Sequence, residues 1–186
     1  MTDRTAAAAA FAVLILLTGC AAPARVERMA AITPAAGPVA APVALDRAIG
    51  KIWAEGGKPT VPFWQSEIDD GAFVAALRRS LDGAGMLAVR ENRGRYVLYA
   101  DLVRADQSVR GLDKMVRTAV RYRLAEAVTG RVVFDRRIDS RGRAGFADSP
   151  LVNIRERLAN EAAIRRNFEA LIRELRRLPP GISSKG

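Results

Sequence analysis

The sequence predicts an α+β fold, a two-layer sandwich in the order β-α-β-β-β-α. About four strands form an antiparallel sheet and two helices cover one face of it. Three observations carry this. Val116, Thr118, Val120, Tyr122 and Leu124 alternate with Arg117, Ala119, Arg121 and Arg123, the period-two signature of a strand with one wet face. Phe73, Leu77, Leu81 and Ala84 recur every three to four residues, as one face of a helix does. Leu151, Ile154, Leu158, Ala162, Phe168, Ile172 and Leu175 make a second, longer stripe. Two apolar helical stripes and one apolar sheet face bury one another in two layers.

The elements follow in order. Ala48 to Ala54 reads as a first strand, ended by Gly56 and Gly57. Residues 58–64 hold two prolines and read as a loop, with Pro62, Phe63 and Trp64 at its end. Asp69 is the predicted N-cap of the first helix. Ile68 and Phe73 have the spacing of a hydrophobic staple, and Gly83 and Gly85 stop the helix. Tyr96 to Arg104 and Val116 to Leu124 are the next two strands. A turn at Val128 to Arg131 leads to a strand over Val132 to Arg141, with Val132, Phe134 and Ile138 inward and Val133, Asp135, Arg137 and Asp139 outward. Ser149 as N-cap and Pro150 at the first helical position open the last helix, and Pro179, Pro180 and Gly181 close it. Residues 150–178 would make a straight rod of about 43 Å, so a bend or overhang is expected near Asn160.

Composition limits the chemistry. The chain has 186 residues, a formal charge of +10, one cysteine and no histidine. Serine–histidine and cysteine–histidine catalysis, histidine metal sites and cysteine zinc sites are therefore excluded. Asp69 and Asp70 are adjacent and point apart on a helix, and Asp101 and Asp106 lack company for a metal. No enzyme activity, cofactor or metal is expected. Only four of the thirty basic residues are lysine, and the arginine excess makes polyanions plausible partners.

The N-terminus sets the expected compartment. Arg4 precedes an apolar run from Ala6 to Leu17, too short to span a membrane and of the length of a signal-peptide core. Leu17-Thr18-Gly19-Cys20 follows. This resembles the lipobox of bacterial lipoproteins, which implies cleavage before Cys20 and acylation of its sulfur. Ala21 after the cysteine implies, by the same resemblance, the periplasmic face of the outer membrane. The expected organisation is a signal peptide over residues 1–19, acylated Cys20 and an Ala/Pro-rich tether over 20–44, an α+β domain over 45–180, and a disordered tail over 181–186. Pro23, Pro34, Pro38 and Pro42 should keep the tether free of helix and strand, with a reach of several tens of ångströms at about 3 Å per residue.

Three constellations stand out. Arg117, Arg121, Arg123 and Arg137 should project from the open sheet face, with Arg104 and Arg141 near its edges. Guanidinium forks suit phosphates and carboxylates, although Asp135 and Asp139 would partly neutralise a merely solvated face. Trp64, with Pro62 and Phe63, either inserts into a partner or packs over the core. Glu161 stands four residues from both Arg157 and Arg165, the spacing of two helical ion pairs, or it could reach a strand arginine beneath the helix.

The segments Pro62 to Leu81, Val116 to Leu124 and Arg157 to Asn167 resemble a group of small Gram-negative lipoproteins of unassigned role. The predicted layout also resembles the lipopolysaccharide-assembly lipoprotein and auxiliary lipoproteins of transport machines. These resemblances imply a non-catalytic accessory or docking subunit, held to the membrane by its lipid anchor, with an envelope protein as partner. Recognition of anionic lipid or lipopolysaccharide headgroups by the arginine face is the alternative. The compartment makes nucleic acid an unexpected partner.

Overall fold

The computed structural model describes residues 23–31, 45–55, 69–110 and 113–179. Its elements are α1 (Val26–Met29), β1 (Ile49–Glu55), α2 (Asp70–Gly83), a single 3₁₀ turn (Glu91–Arg93), β2 (Tyr96–Arg110), β3 (Asp113–Glu126), β4 (Val132–Ala144) and α3 (Val152–Arg176). The four strands form one sheet in sequence order. The α+β two-layer architecture stands, but the sheet is mixed. β2, β3 and β4 are antiparallel neighbours, whereas β1 runs parallel to β2. The reason is the intervening helix: α2 carries the chain back across the sheet, so β2 starts at the same end as β1.

The inner face of the sheet is the core. Leu98, Val120, Tyr122 and Leu124 are buried under Phe73, Leu77 and Leu81 of α2 and Ile164, Phe168, Leu171, Ile172 and Leu175 of α3. Phe73 and Phe168 meet edge to face at 5.1 Å and join the two helices. Asp69 caps α2, its carboxylate accepting from the Ala72 amide at 3.0 Å. Gly85, at φ +73°, turns the chain out of that helix.

Polar groups stitch α3 to the sheet. The Asn167 amide nitrogen donates to the Ile138 carbonyl at 2.8 Å and to Ser140 Oγ at 3.1 Å, and its oxygen accepts from the Tyr122 hydroxyl at 2.7 Å. Ser140 donates onward to the Ala163 carbonyl and meets Thr118 at 2.6 Å. Burial pushes the Tyr122 phenol well above its ordinary pKa, so it stays a donor. Nearby, Gly142 lets α3 approach β4 closely; a Cβ there would collide with the Ala159 carbonyl and the Ala163 amide.

Several expectations are corrected. The last helix begins at Val152, not Pro150; Ser149 Oγ accepts from the Leu151 amide, and Leu151 is the N-cap. Val132 is 52% exposed rather than inward, because the β3–β4 register shifts between Leu124 and Ala125. Asn160 lies on a buried stretch of one continuous helix, since other parts of the chain cover the length that the sheet does not. Part of the expected tether also packs on the domain. Arg25 to Ala31 forms a short helical segment in which Met29 is fully buried, with Ala30 and Ala31 nearly so. Pro23 precedes that turn and so does not break it.

Candidate functional site

The outer sheet face carries the predicted arginines, and strand register decides their partners. Arg121 lies across from Asp101 on one side and Arg137 on the other. Its guanidinium forks onto Asp135, with Nε at 2.8 Å and Nη2 at 2.7 Å. That hydrogen bonding holds the Asp135 carboxyl below its usual range and the Arg121 guanidinium above its own. Arg123 reaches Asp101 at 3.4 Å and lies 5.6 Å from the centre of the Tyr99 ring. Arg137 pairs with Asp139 at 3.2 Å. Three of the four predicted face cations therefore spend their charge on acids of the same sheet.

Arg117 differs. It lies across from Arg141 on β4 and from Asp106 on β2. Among the described side chains, which do not include that of Asp106, no acid forms an ion pair with Arg117 or Arg141. Both line a cavity of about 910 Å³ along β4, which α3 completes with Arg166, Glu169 and Arg173. Five arginines and two acids, Asp139 and Glu169, face this space. Arg166 also donates to the Arg141 carbonyl at 2.7 Å. Together with the Asn167 bond to Ile138, this occupies two β4 carbonyls with helix side chains. Arg166 and Arg173 were not singled out from the sequence, because nothing local says that one face of α3 meets the edge of β4.

The helical trio divides. Arg157 Nε is 3.7 Å from Glu161 Oε1, whereas Arg165 reaches the Arg28 carbonyl at 3.2 Å. Glu161 is buried, and its Oε1 accepts from the Arg25 backbone amide at 2.8 Å. The Ala31 amide donates to buried Ser80 Oγ at 2.9 Å, so the segment is held at both ends. A smaller cavity of about 270 Å³ lies between this segment and the end of β4, lined by Arg28, Arg143, Asp148, Leu158, Glu161 and Arg165 among others. The sequence held one faint signal for this docking. Val26-Glu27-Arg28-Met29 is a proline-free stretch with two bulky apolar residues in an otherwise Ala/Pro-rich run.

Cys20 and Trp64 lie outside the described residues, as does the side chain of Arg104. Among the described residues no three acids gather as a metal site, and no helix is long and apolar enough to cross a membrane.

No family model matches the chain, and no curated protein matches it in sequence. Solved structures do share its fold. One is a protein described as a lipoprotein from Caulobacter crescentus. It is 21% identical, with a TM-score of 0.50 over 72% of this chain and 90% of its own. Another is a Xanthomonas campestris protein of the DUF330 family. It is 17% identical, with a TM-score of 0.54 over 77% of this chain and 89% of its own. At these identities the likeness establishes the architecture.

Proposed function

We propose that this chain is acylated at Cys20 and works on the periplasmic face of the outer membrane as a non-catalytic docking subunit of an envelope assembly or transport machine. The lipobox-like Leu17-Thr18-Gly19-Cys20 supports the anchor, and the shared fold of a Caulobacter crescentus protein described as a lipoprotein agrees with it. The observation that carries the docking role is the groove along β4. Its five arginines stand on a rigid strand–helix frame and outnumber the acids facing the same space. A carboxylate-bearing segment of an envelope protein fits such a surface through guanidinium forks.

The test is crosslinking capture with the full acylated chain. Arg117→Glu together with Arg141→Glu should abolish recovery of a discrete partner. Arg121→Glu with Arg123→Glu should weaken it far less, because those two cations are already neutralised by Asp135 and Asp101. Recovery unchanged by the first pair removes the groove from this reading.

The arginine-dominated lining also favours a second reading, in which the groove takes anionic lipid or lipopolysaccharide headgroups. That reading expects soluble domain to bind anionic vesicles over neutral ones, and to lose binding as salt rises. Equal binding to both vesicles rejects it.

A further inference from the structure

Cys20 is only three residues from Pro23, where the described chain begins, so the two α-carbons lie within about 11 Å of each other. From Ala24 onward the segment is fastened. Ala24 is buried, the Arg25 amide is bonded to Glu161, Met29 is fully buried and the Ala31 amide is bonded to Ser80. A chain leaving Cys20 therefore has almost no free tether before it meets the body of the protein. Whatever surface lies around that meeting point is held close to the bilayer.

That surface has a distinct composition. The segment and the β4–α3 connection share the smaller cavity, which brings Arg28 and Arg165 beside Arg143 and Asp148. The connection and the first residue of α3 expose three large apolar side chains within seven residues: Phe146 at 55%, Leu151 at 55% and Val152 at 52%. It is not a loose loop. Arg155 is almost fully buried, donates to the Ser149 and Pro150 carbonyls at 2.7 and 2.8 Å, and lies 5.7 Å from the Phe146 ring centre. Asp148 ties the Gly145 amide at 2.7 Å. Buried polar contacts thus hold apolar side chains out in the open. Exposed apolar groups on the same connection as an arginine-bearing cavity suit the headgroup layer, where rings and aliphatic chains sit at the acyl boundary and cations such as Arg28 and Arg165 meet phosphates, Arg143 being paired with Asp113.

We propose that this end of the molecule, with exposed Phe146, Leu151 and Val152 and the neighbouring cavity lined by Arg28 and Arg165, rests in the headgroup layer of the bilayer that holds the Cys20 acyl chains. The proposal rests on acylation of Cys20. It replaces a domain swinging on a long tether with one seated in a fixed orientation, leaving the arginine groove along β4 facing sideways.

Single-site labelling tests it, because Cys20 is the only cysteine and acylation removes its thiol. Ala147→Cys and Val128→Cys place a fluorophore at opposite ends of β4, about 40 Å apart for a strand of this length. Each full acylated chain is reconstituted in phosphatidylethanolamine/phosphatidylglycerol vesicles containing brominated lipid. Emission at position 147 should fall at least twofold and emission at 128 should not change. Equal quenching at both sites, or none at 147, overturns the seated orientation while acylation stands. A native chain whose Cys20 takes up the thiol reagent overturns both the anchor and the orientation.

Discussion

The two halves of α3 are both buried, but by different chemistry. From Ile164 to Leu175 the covered side chains are mostly apolar: Ile164, Phe168, Leu171, Ile172 and Leu175. From Arg155 to Glu161 they include Arg155, Glu156, Asn160 and Glu161. The difference follows from what lies against each half. The C-terminal half packs on the sheet and on α2, whose backbone groups are mostly paired within their own ladders; the exceptions are the Ile138 and Arg141 carbonyls of edge strand β4, which Asn167 and Arg166 bind. The N-terminal half touches the ends of β3 and β4 through Ala159, and also packs on irregular chain, the β4–α3 connection and the Arg25–Ala31 segment, whose amides and carbonyls still need partners. Arg155 supplies donors to the Ser149 and Pro150 carbonyls, and Glu161 supplies an acceptor to the Arg25 amide. Two of these buried charges, Arg155 and Glu161, serve irregular chain, while the third, Glu156, pairs with Lys114 of β3 at 3.8 Å.

Three substitutions would break or sharpen this contrast. Phe168→Ala, in the apolar half, should be the most damaging. It removes a fully buried ring that joins α2, α3 and the sheet, and should cost about 3–5 kcal/mol in urea unfolding. A loss below about 1 kcal/mol would mean that the apolar half is not the fold's main support. Asn167→Leu, at the junction of the two halves, should cost about 3 kcal/mol. It orphans the Tyr122 hydroxyl and the Ile138 carbonyl together. Adding Tyr122→Phe should restore part of that loss, and strictly additive effects in the double mutant would show that the two side chains are not coupled.

Glu161→Ala, in the polar half, should act locally. It frees the Arg25 amide and leaves Arg157 without its acid, loosening a covering segment rather than the core. The expected result is trypsin cleavage after exposed Arg25 and Arg28 about tenfold faster, equivalent to about 1.4 kcal/mol of easier opening. The urea midpoint should move much less than for Phe168→Ala. A full loss of stability with no change in cleavage would erase the distinction between the halves.

Much of the frame was legible in residue order because it depends on local periodicity. Alternation along Val116 to Leu124 sent every second residue inward, and all five of those side chains are buried. The α2 stripe and its Asp69 cap were equally local. The starting point of α3 was not. Ser149 and Pro150 have the chemistry of a helix start, but Arg155 binds both of their carbonyls and holds them in the loop before the helix. The arginine face was legible as a face, while its charge balance was not. Whether an arginine is neutralised depends on the acid placed diagonally across a strand pair, as Asp135 is for Arg121.

By itself, the sequence determined which residues of β3 and of the α2 stripe turn inward, the order of the four strands and two long helices, and that neither imidazole nor a second thiol is available for chemistry. These are properties of composition and of periods of two and 3.6 residues, and they need no knowledge of distant partners. Only the tertiary structure decided that β1 runs parallel to β2, that Arg25 to Ala31 is part of the folded body, and that Arg117 and Arg141 share a groove with Arg166 and Arg173. Each of these joins residues far apart in the chain. Their contacts follow from how the layers pack, which no local pattern encodes.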